Sequence, residues 1–174
     1  MLTVLVDTSE KNPWAFSPGV LLAYANLASG DYTVEGLERV ITLERKSLDD
    51  LANTLAHDRD RFFAEARRLQ EYRYRAIIVE GDLRQILDGS FRSRMTPESL
   101  IGTCATFAID YEIPVFFCST RAAAALYAEK LLTRASRRWI VRRSRARRAL
   151  TAPTPAAPTP RKKRATRARG KGAT

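Results

Sequence analysis

The sequence predicts an α/β sandwich around a central mixed β-sheet, and three observations predict it. Short apolar, β-branched-rich runs recur at Leu2–Val6, Ala76–Val79 and Pro114–Cys118, the length and composition of strands buried on both faces. Segments with helix start signals and apolar residues three and four apart lie between them. Of the 174 residues 45% are hydrophobic, so the chain can bury a real core and is not a disordered polymer.

Taken in order, Leu2–Val6 is a strand that ends at Asp7. Lys11–Gly19 contains Pro13, Pro18 and Gly19 and reads as a loop, with Trp14 and Phe16 tucked against the body. Val20–Ala28 fits a short helix or a strand. Gly30 punctuates the chain, Asp31–Glu35 reads as a strand, Gly36 as a turn and Val40–Lys46 as a second strand, so residues 31–46 form a β-hairpin. Ser47 and Asp50 have the S-x-x-D spacing of a helix cap, followed by Leu51 and Leu55 one turn apart. His57 is a solvent-facing linker residue. A second helix over Arg59–Tyr72 places Phe62, Ala66 and Leu69 on one core-facing stripe. Ala76–Val79 is a buried strand ending at Glu80-Gly81. Pro97 opens a helix through Leu100–Tyr111, Pro114–Cys118 is a further strand, and Arg121–Leu132 is an Ala-rich helix. No internal repeat is visible.

Charge divides the chain unevenly. Lys and Arg number 30 against 19 Asp and Glu, a net +11. Residues 1–133 hold 15 basic and all 19 acidic side chains, whereas residues 134–174 hold 15 basic and none acidic. The expected organisation is a mildly acidic domain over residues 1–135, a basic helical extension over 136–150, and a proline-rich spacer with a disordered basic tail over 151–174. Trp139-Ile140-Val141 interrupts the basic run and would pack on the body or on a second subunit. Arg161, Lys162, Lys163, Arg164, Arg167, Arg169 and Lys171 are candidate polyanion contacts, because unbalanced basic blocks of this density bind phosphate backbones. No apolar run approaches the ~20 residues needed to span a bilayer. The N-terminus lacks the basic and small-residue marks of a secretory signal. Two cysteines, Cys104 and Cys118, rule out a disulfide framework and a zinc cluster, and read as reduced core thiols of a cytoplasmic protein.

The hairpin carries the chemistry. Strand side chains alternate faces, so Thr42, Glu44 and Lys46 point one way, with Asp31 on the neighbouring strand and Asp7 at the end of an adjacent one. Carboxylates gathered at one point repel unless a cation sits among them. Oxygen-only ligation suits Mg²⁺ or Mn²⁺, completed by water and a substrate phosphate. A lysine there can stabilise charge developing on phosphate, so the group suggests phosphodiester hydrolysis.

The spacing D-x₁₂-E-x-K from Asp31 to Glu44 and Lys46 is that of PD-(D/E)xK nucleases. Gly30-Asp31 followed by Glu44-Arg45-Lys46-Ser47-Leu48-Asp49-Asp50 resembles the G-D…E-R-K-x-x-x-D motif of XPF/Mus-type structure-specific endonuclease domains. Val6-Asp7-Thr8-Ser9-Glu10 is similar to the family's opening V-D-x-R-E, with Ser9 in the place of arginine. Arg61-Phe62 and Ile78-Val79-Glu80-Gly81 also resemble the family, which covers about residues 2–132. The resemblance implies a restriction-endonuclease-like three-layer sandwich, and a divalent-metal-dependent DNA endonuclease acting on flaps, forks or junctions. It implies Asp7, Asp31 and Glu44 as metal carboxylates, Lys46 as catalytic, and Glu10, Arg45, Asp50 and Glu80 as supporting residues. It further implies a possible homodimer and a short stand-alone form of the bacterial or phage kind, working in the cytoplasm near the nucleoid.

Each supporting residue also has a structural reading: Asp50 as a partner of the Ser47 cap, Arg45 in an ion pair on the opposite strand face, Glu80 in a turn. Two rival functions compete with the endonuclease. One is a non-catalytic DNA-binding scaffold with the same fold, usually marked by loss of motif residues that are all filled here. The other is a nucleic-acid-packaging protein acting through its tail.

Overall fold

The computed structural model describes residues 1–151, with side chains through Arg148. Its strands are β1 (Leu2–Asp7), β2 (Val20–Ala25), β3 (Tyr32–Val34), β4 (Ile41–Ser47), β5 (Tyr74–Glu80) and β6 (Val115–Phe117). Its helices are α1 (Leu48–His57), α2 (Arg59–Leu69), α3 (Leu83–Leu87), α4 (Pro97–Ile109) and α5 (Arg121–Thr151). The six strands form one mixed sheet in the order β2-β1-β3-β4-β5-β6. The expected hairpin is the antiparallel pair β3–β4, with Tyr32 opposite Leu43. Strands β5 and β6 continue the sheet parallel to β4 through the helical crossovers α1–α2 and α3–α4.

Two hydrophobic cores flank the sheet, which makes three layers. Under α5 lie Val4, Val6, Trp14, Tyr32, Ile41, Leu43 and Ile78 with Ala124, Ala128 and Leu132. On the other side Ile77 and Val79 meet Leu51, Phe62, Leu69, Leu100 and Phe107 from α1, α2 and α4. The stripe Phe62, Ala66 and Leu69 is buried, as its spacing predicts. Cys104 is buried, Cys118 is half-buried, and both thiols are free. Among the described residues no helix is long and apolar enough to cross a membrane.

The segment open between helix and strand is β2, parallel to β1 with Val4 beside Leu22. The loop over residues 8–19 is long enough to make the parallel return, and that tertiary pairing decides the conformation. Helix α2 stops at Leu69 instead of Tyr72, where the Gln70 N–H closes on the Ala66 carbonyl. Helix α3 was not expected; Asp82 and Gln85 form a reciprocal capping box that starts it. The Ala-rich helix runs unbroken to Thr151, so residues 135 and 136 lie within one helix. Along its extension Trp139 is half-buried while Ile140 and Val141 are exposed. The spacer and basic tail, Arg161 to Lys171 included, lie outside the described residues.

Candidate active site

Strand β4 sends neighbouring residues to opposite sides of the sheet. Glu44 and Lys46 face α1 and α2, and Arg45 faces the α5 side. The preceding loop is held against this strand by Gly30, whose φ of +76° is a left-handed conformation. A Cβ at Gly30 would collide with Thr42 Oγ1 and press on the Leu43 carbonyl. With glycine there, the Asp31 N–H reaches the Leu43 carbonyl at 2.8 Å and the Thr42 hydroxyl donates to the Ser29 carbonyl at 2.8 Å. Asp31 is thereby set beside Glu44, and its Oδ2 accepts from the Arg45 N–H at 2.7 Å.

Glu44 is 5% exposed, and its Oε1 pairs with Lys46 Nζ at 2.8 Å. Burial first, and then the Asp31 charge, push the Glu44 carboxyl up to about 7 against the pull of Lys46. Burial likewise pushes Asp31 up to about 6, opposed by the Arg45 N–H and Lys46 and reinforced by Glu10 and Asp7. Burial works against the Lys46 ammonium, but Glu44, Asp31 and Glu65 outweigh it and hold its pKa above the ordinary lysine value. Lys46 Nζ also lies 5.2 Å from the Phe62 ring centroid, a cation–π contact that orients it. Two carboxylates thus share one ammonium, and one oxygen of each, Asp31 Oδ1 and Glu44 Oε2, has no protein hydrogen bond among the described residues.

The face toward α5 is arranged differently. Arg45 Nε donates to Glu80 at 2.8 Å and its Nη1 to Glu10 at 3.0 Å. Trp14 Nε1 donates to Glu80 at 2.6 Å, and Arg121 Nη1 adds a contact at 3.2 Å. Arg121 also binds the Asn12 and Pro13 carbonyls, so it clamps the Trp14 loop to the start of α5. Trp14 stacks on Tyr32 at 4.4 Å between ring centroids and donates its backbone N–H to the Tyr32 hydroxyl. The hydrogen bonds to Glu80 raise the Arg45 pKa. Burial alone would raise the Glu80 carboxyl, but Arg45, Trp14 and Arg121 together hold it below its usual value.

The residues singled out by spacing therefore fall into three places. Asp31, Glu44 and Lys46 converge on one side of the sheet, and Glu10, Arg45 and Glu80 form one network on the other. Asp50 sits on the first turn of α1, exposed, donating its N–H to the Ser47 hydroxyl and accepting that hydroxyl at 2.7 Å. Asp7 is near enough for its charge to be felt at Asp31, but its own oxygens accept from Ser9 and from the Leu27 N–H. Those bonds hold its pKa below the usual value although burial opposes them. Among the described residues no three or more His, Cys, Asp and Glu side chains gather as a metal-holding group. Asp31 and Glu44 thus lie beside one another, while the Asp7 oxygens accept from Ser9 within its own turn and from Leu27 after β2.

Four contributors escaped the sequence reading. Glu65 of α2 accepts from the Ser29 hydroxyl at 2.8 Å and Arg68 at 2.6 Å, and its charge reaches Glu44. Its signal was its place in α2, three residues after Phe62 on the stripe that faces Lys46. Ser29, Trp14 and Arg121 carry no local signal, since their partners lie far away in sequence.

Comparison with known proteins agrees with this frame. The family model described as the ERCC4 domain matches residues 6–131. Among solved structures, the chain is similar to XPF from Aeropyrum pernix in complex with DNA, at 29% identity and a TM-score of 0.61. That match covers 79% of this chain and 66% of that one, so the chain spans about two thirds of its length. It is similar also to a second structure of XPF from Aeropyrum pernix, at 30% identity and a TM-score of 0.61, covering 82% of this chain and 69% of that one. No curated protein matches the chain. With the family match running from the end of β1 into α5 over residues 6–131, the chain belongs to the ERCC4 domain family of structure-specific DNA nucleases.

Proposed function

We propose that the protein is a divalent-metal-dependent endonuclease that hydrolyses DNA phosphodiester bonds, at flaps, forks or junctions. The observation that carries this reading is the convergence of Asp31, Glu44 and Lys46, a half-buried and a buried carboxylate of raised pKa around one ammonium. Such a pair is strained without a cation, and the all-oxygen donor set suits a hard divalent ion whose remaining positions go to water and phosphate. Asp31 and Glu44 would hold Mg²⁺ or Mn²⁺, with Asp7 adding negative potential from its turn. The ion when bound would polarise the phosphate and lower the pKa of a coordinated water. Lys46, held at the carboxylates by Glu44 and the Phe62 ring, would stabilise negative charge developing on the phosphoryl oxygens. Glu10, Arg45 and Glu80 would act as positioning residues that fix β4 against the Trp14 loop, and Asp50 would hold the start of α1.

The domain over residues 1–135 would carry the chemistry. The basic run beyond it, ending in Arg161, Lys162, Lys163, Arg164, Arg167, Arg169 and Lys171, would hold the DNA backbone. The XPF structure in complex with DNA supports DNA as the partner. A homodimer and a place in the cytoplasm are part of the same reading.

The test is cleavage of labelled fork, flap, junction and linear duplex DNA in Mg²⁺ and in EDTA. Cutting of branched substrates in Mg²⁺ alone is the expected result. DNA binding without cutting in either buffer would make the chain a scaffold with the nuclease fold.

A further inference from the structure

A second polar feature lies away from the carboxylates. A cavity of about 440 Å³ opens between α5 and the beginnings of β4 and β5. It is on the opposite side of the sheet from Glu44, since Ile41 and Leu43 of β4 line it and alternate with Thr42 and Glu44. Its apolar wall is Ile41, Leu43, Ala76 and Phe116, with Leu131 and Ala135 from α5.

The rim is cationic. Arg134 and Arg138 stand one turn apart on α5, Arg73 immediately precedes β5, and no ion pair engages these three among the described residues. Arg75 also borders the cavity, but its guanidinium turns to the Gln70 and Tyr72 carbonyls and to Glu112. Glu112 is thus the one carboxylate on the rim, and it is already paired. Tyr74 lines the same space, and its hydroxyl is buried with no hydrogen-bond partner, one of two such side-chain atoms among the described residues. A buried hydroxyl without a partner is left desolvated and uncompensated, a deficit that a bound polar group removes.

These features restrict the occupant. Three unpaired guanidiniums call for an anion, and the planar fork of arginine matches phosphate oxygens. A phosphate alone would leave the apolar wall without contact, whereas the volume is that of a small-ligand site. The chain's own segment beyond Arg134 contains no acidic residue and cannot neutralise the rim. We infer that this cavity binds a nucleotide, with its phosphate on Arg73, Arg134 and Arg138 and its nucleoside against Ile41, Leu43 and Phe116. The nucleotide is either free or the phosphorylated end of a DNA strand. The site involves neither the carboxylates nor their metal, and its test stands apart from cleavage.

The experiment is calorimetric titration of the full chain in EDTA with adenosine 5′-monophosphate, adenosine, inorganic phosphate, and oligothymidylate with and without a 5′-phosphate. The expected result is binding of adenosine monophosphate that adenosine and phosphate do not match. The double variant Arg134→Ala/Arg138→Ala, changed only at exposed positions, should weaken it at least tenfold. Tyr74→Phe should raise the melting temperature of the unliganded protein and weaken the nucleotide. Glu44→Gln should leave binding unchanged. A 5′-phosphate that tightens the binding of oligothymidylate to the wild type but not to the double variant assigns the site to a strand end, and no such gain assigns it to a free nucleotide. The inference is overturned if nothing binds, if inorganic phosphate or adenosine binds as well as the nucleotide, or if Glu44→Gln abolishes binding. It is overturned equally if sedimentation shows a wild-type dimer that the double variant loses while no nucleotide binds, which gives the cavity to a second copy.

Discussion

Adjacent residues of β4 belong to two charge networks that behave in opposite ways. Toward α5, Arg45 and Arg121 meet Glu10 and Glu80, two cations for two carboxylates, with Trp14 Nε1 completing the set. There the acid Glu80 is held below its usual pKa. Toward α1 and α2, Asp31 and Glu44 share Lys46 alone, and both acids are pushed up, to about 6 and about 7. Burial is the largest cause toward α1 and α2 and prevails there, whereas toward α5 the hydrogen bonds and charges of Arg45, Trp14 and Arg121 together outweigh it. The matched network braces the fold, while the unmatched one stores repulsion that a cation can relieve. A side that favours the fold as it stands and a side that is incomplete lie one residue apart on the same strand.

The sharpest way to separate the sides is to delete one cation from each. Lys46→Ala is expected to lower the cleavage rate by about 10²–10³, because the group acts on charge developing in the transition state, and to cost stability as well, because it leaves Asp31 and Glu44 without their shared ammonium. Near-wild-type turnover of the folded variant would remove Lys46 from the mechanism. Arg45→Ala should act on stability far more than on the rate and destabilise the protein by about 3 kcal/mol, the low end for breaking a buried pair, since Arg45 retains 18% side-chain exposure. Urea unfolding measures it, and a loss under 1 kcal/mol would make this network ornamental.

Acidity should distinguish the two sides next. Asp31 and Glu44 have folded pKa values above their unfolded ones, so the protons they retain favour the fold at low pH. That contribution is complete below about pH 4 and is lost as pH rises through about 6 and 7. In EDTA, stability should therefore fall between pH 5 and 8, by up to about 1.4 kcal/mol per pH unit for each proton retained in the fold. Glu80 has the opposite sign, since its depressed pKa stabilises above the unfolded value and that part is lost on acidification below about pH 4. Stability flat from pH 5 to 8 would mean that the carboxylates are relieved without a metal.

The smallest expected change is the removal of one carboxylate charge. Asp31→Asn and Glu44→Gln should each stabilise the metal-free protein by about 1 kcal/mol, the scale of one pKa unit. Mg²⁺ should then raise the melting temperature of the wild type more than that of either variant, because a ligand stabilises only the state that binds it. Equal shifts in all three proteins would put the cation elsewhere.

Local rules reached far into this chain. Asp31, Glu44 and Lys46 were legible because a strand alternates with period two, and because Gly30 and the following turn hold the two strands at a fixed offset. Ser47 was legible because a cap needs only its own next residues, and the core stripe of α2 because a helix repeats every three to four. Arg45 was known to face away from Glu44, but its destination was not. Glu80 lies 35 residues from it, and Arg121 a further 41 from Glu80. No periodicity spans such intervals.

By itself the sequence determined the strands and helices of the body other than β2 and α3, the side of β4 that each charged residue would take, and the convergence of two carboxylates with a lysine. These follow from hard-sphere backbone geometry and short-range capping, which act within a few residues. Only the tertiary structure decided that Val20–Ala25 is an edge strand beside β1, that Asp7 spends its oxygens on Ser9 and Leu27, and that Glu65 and Trp14 join the two networks. It also decided where Arg73 and Arg134 meet around a cavity. Those outcomes depend on which distant groups are buried together, and burial sets both the strength of each charge interaction and the cost of leaving it unpaired.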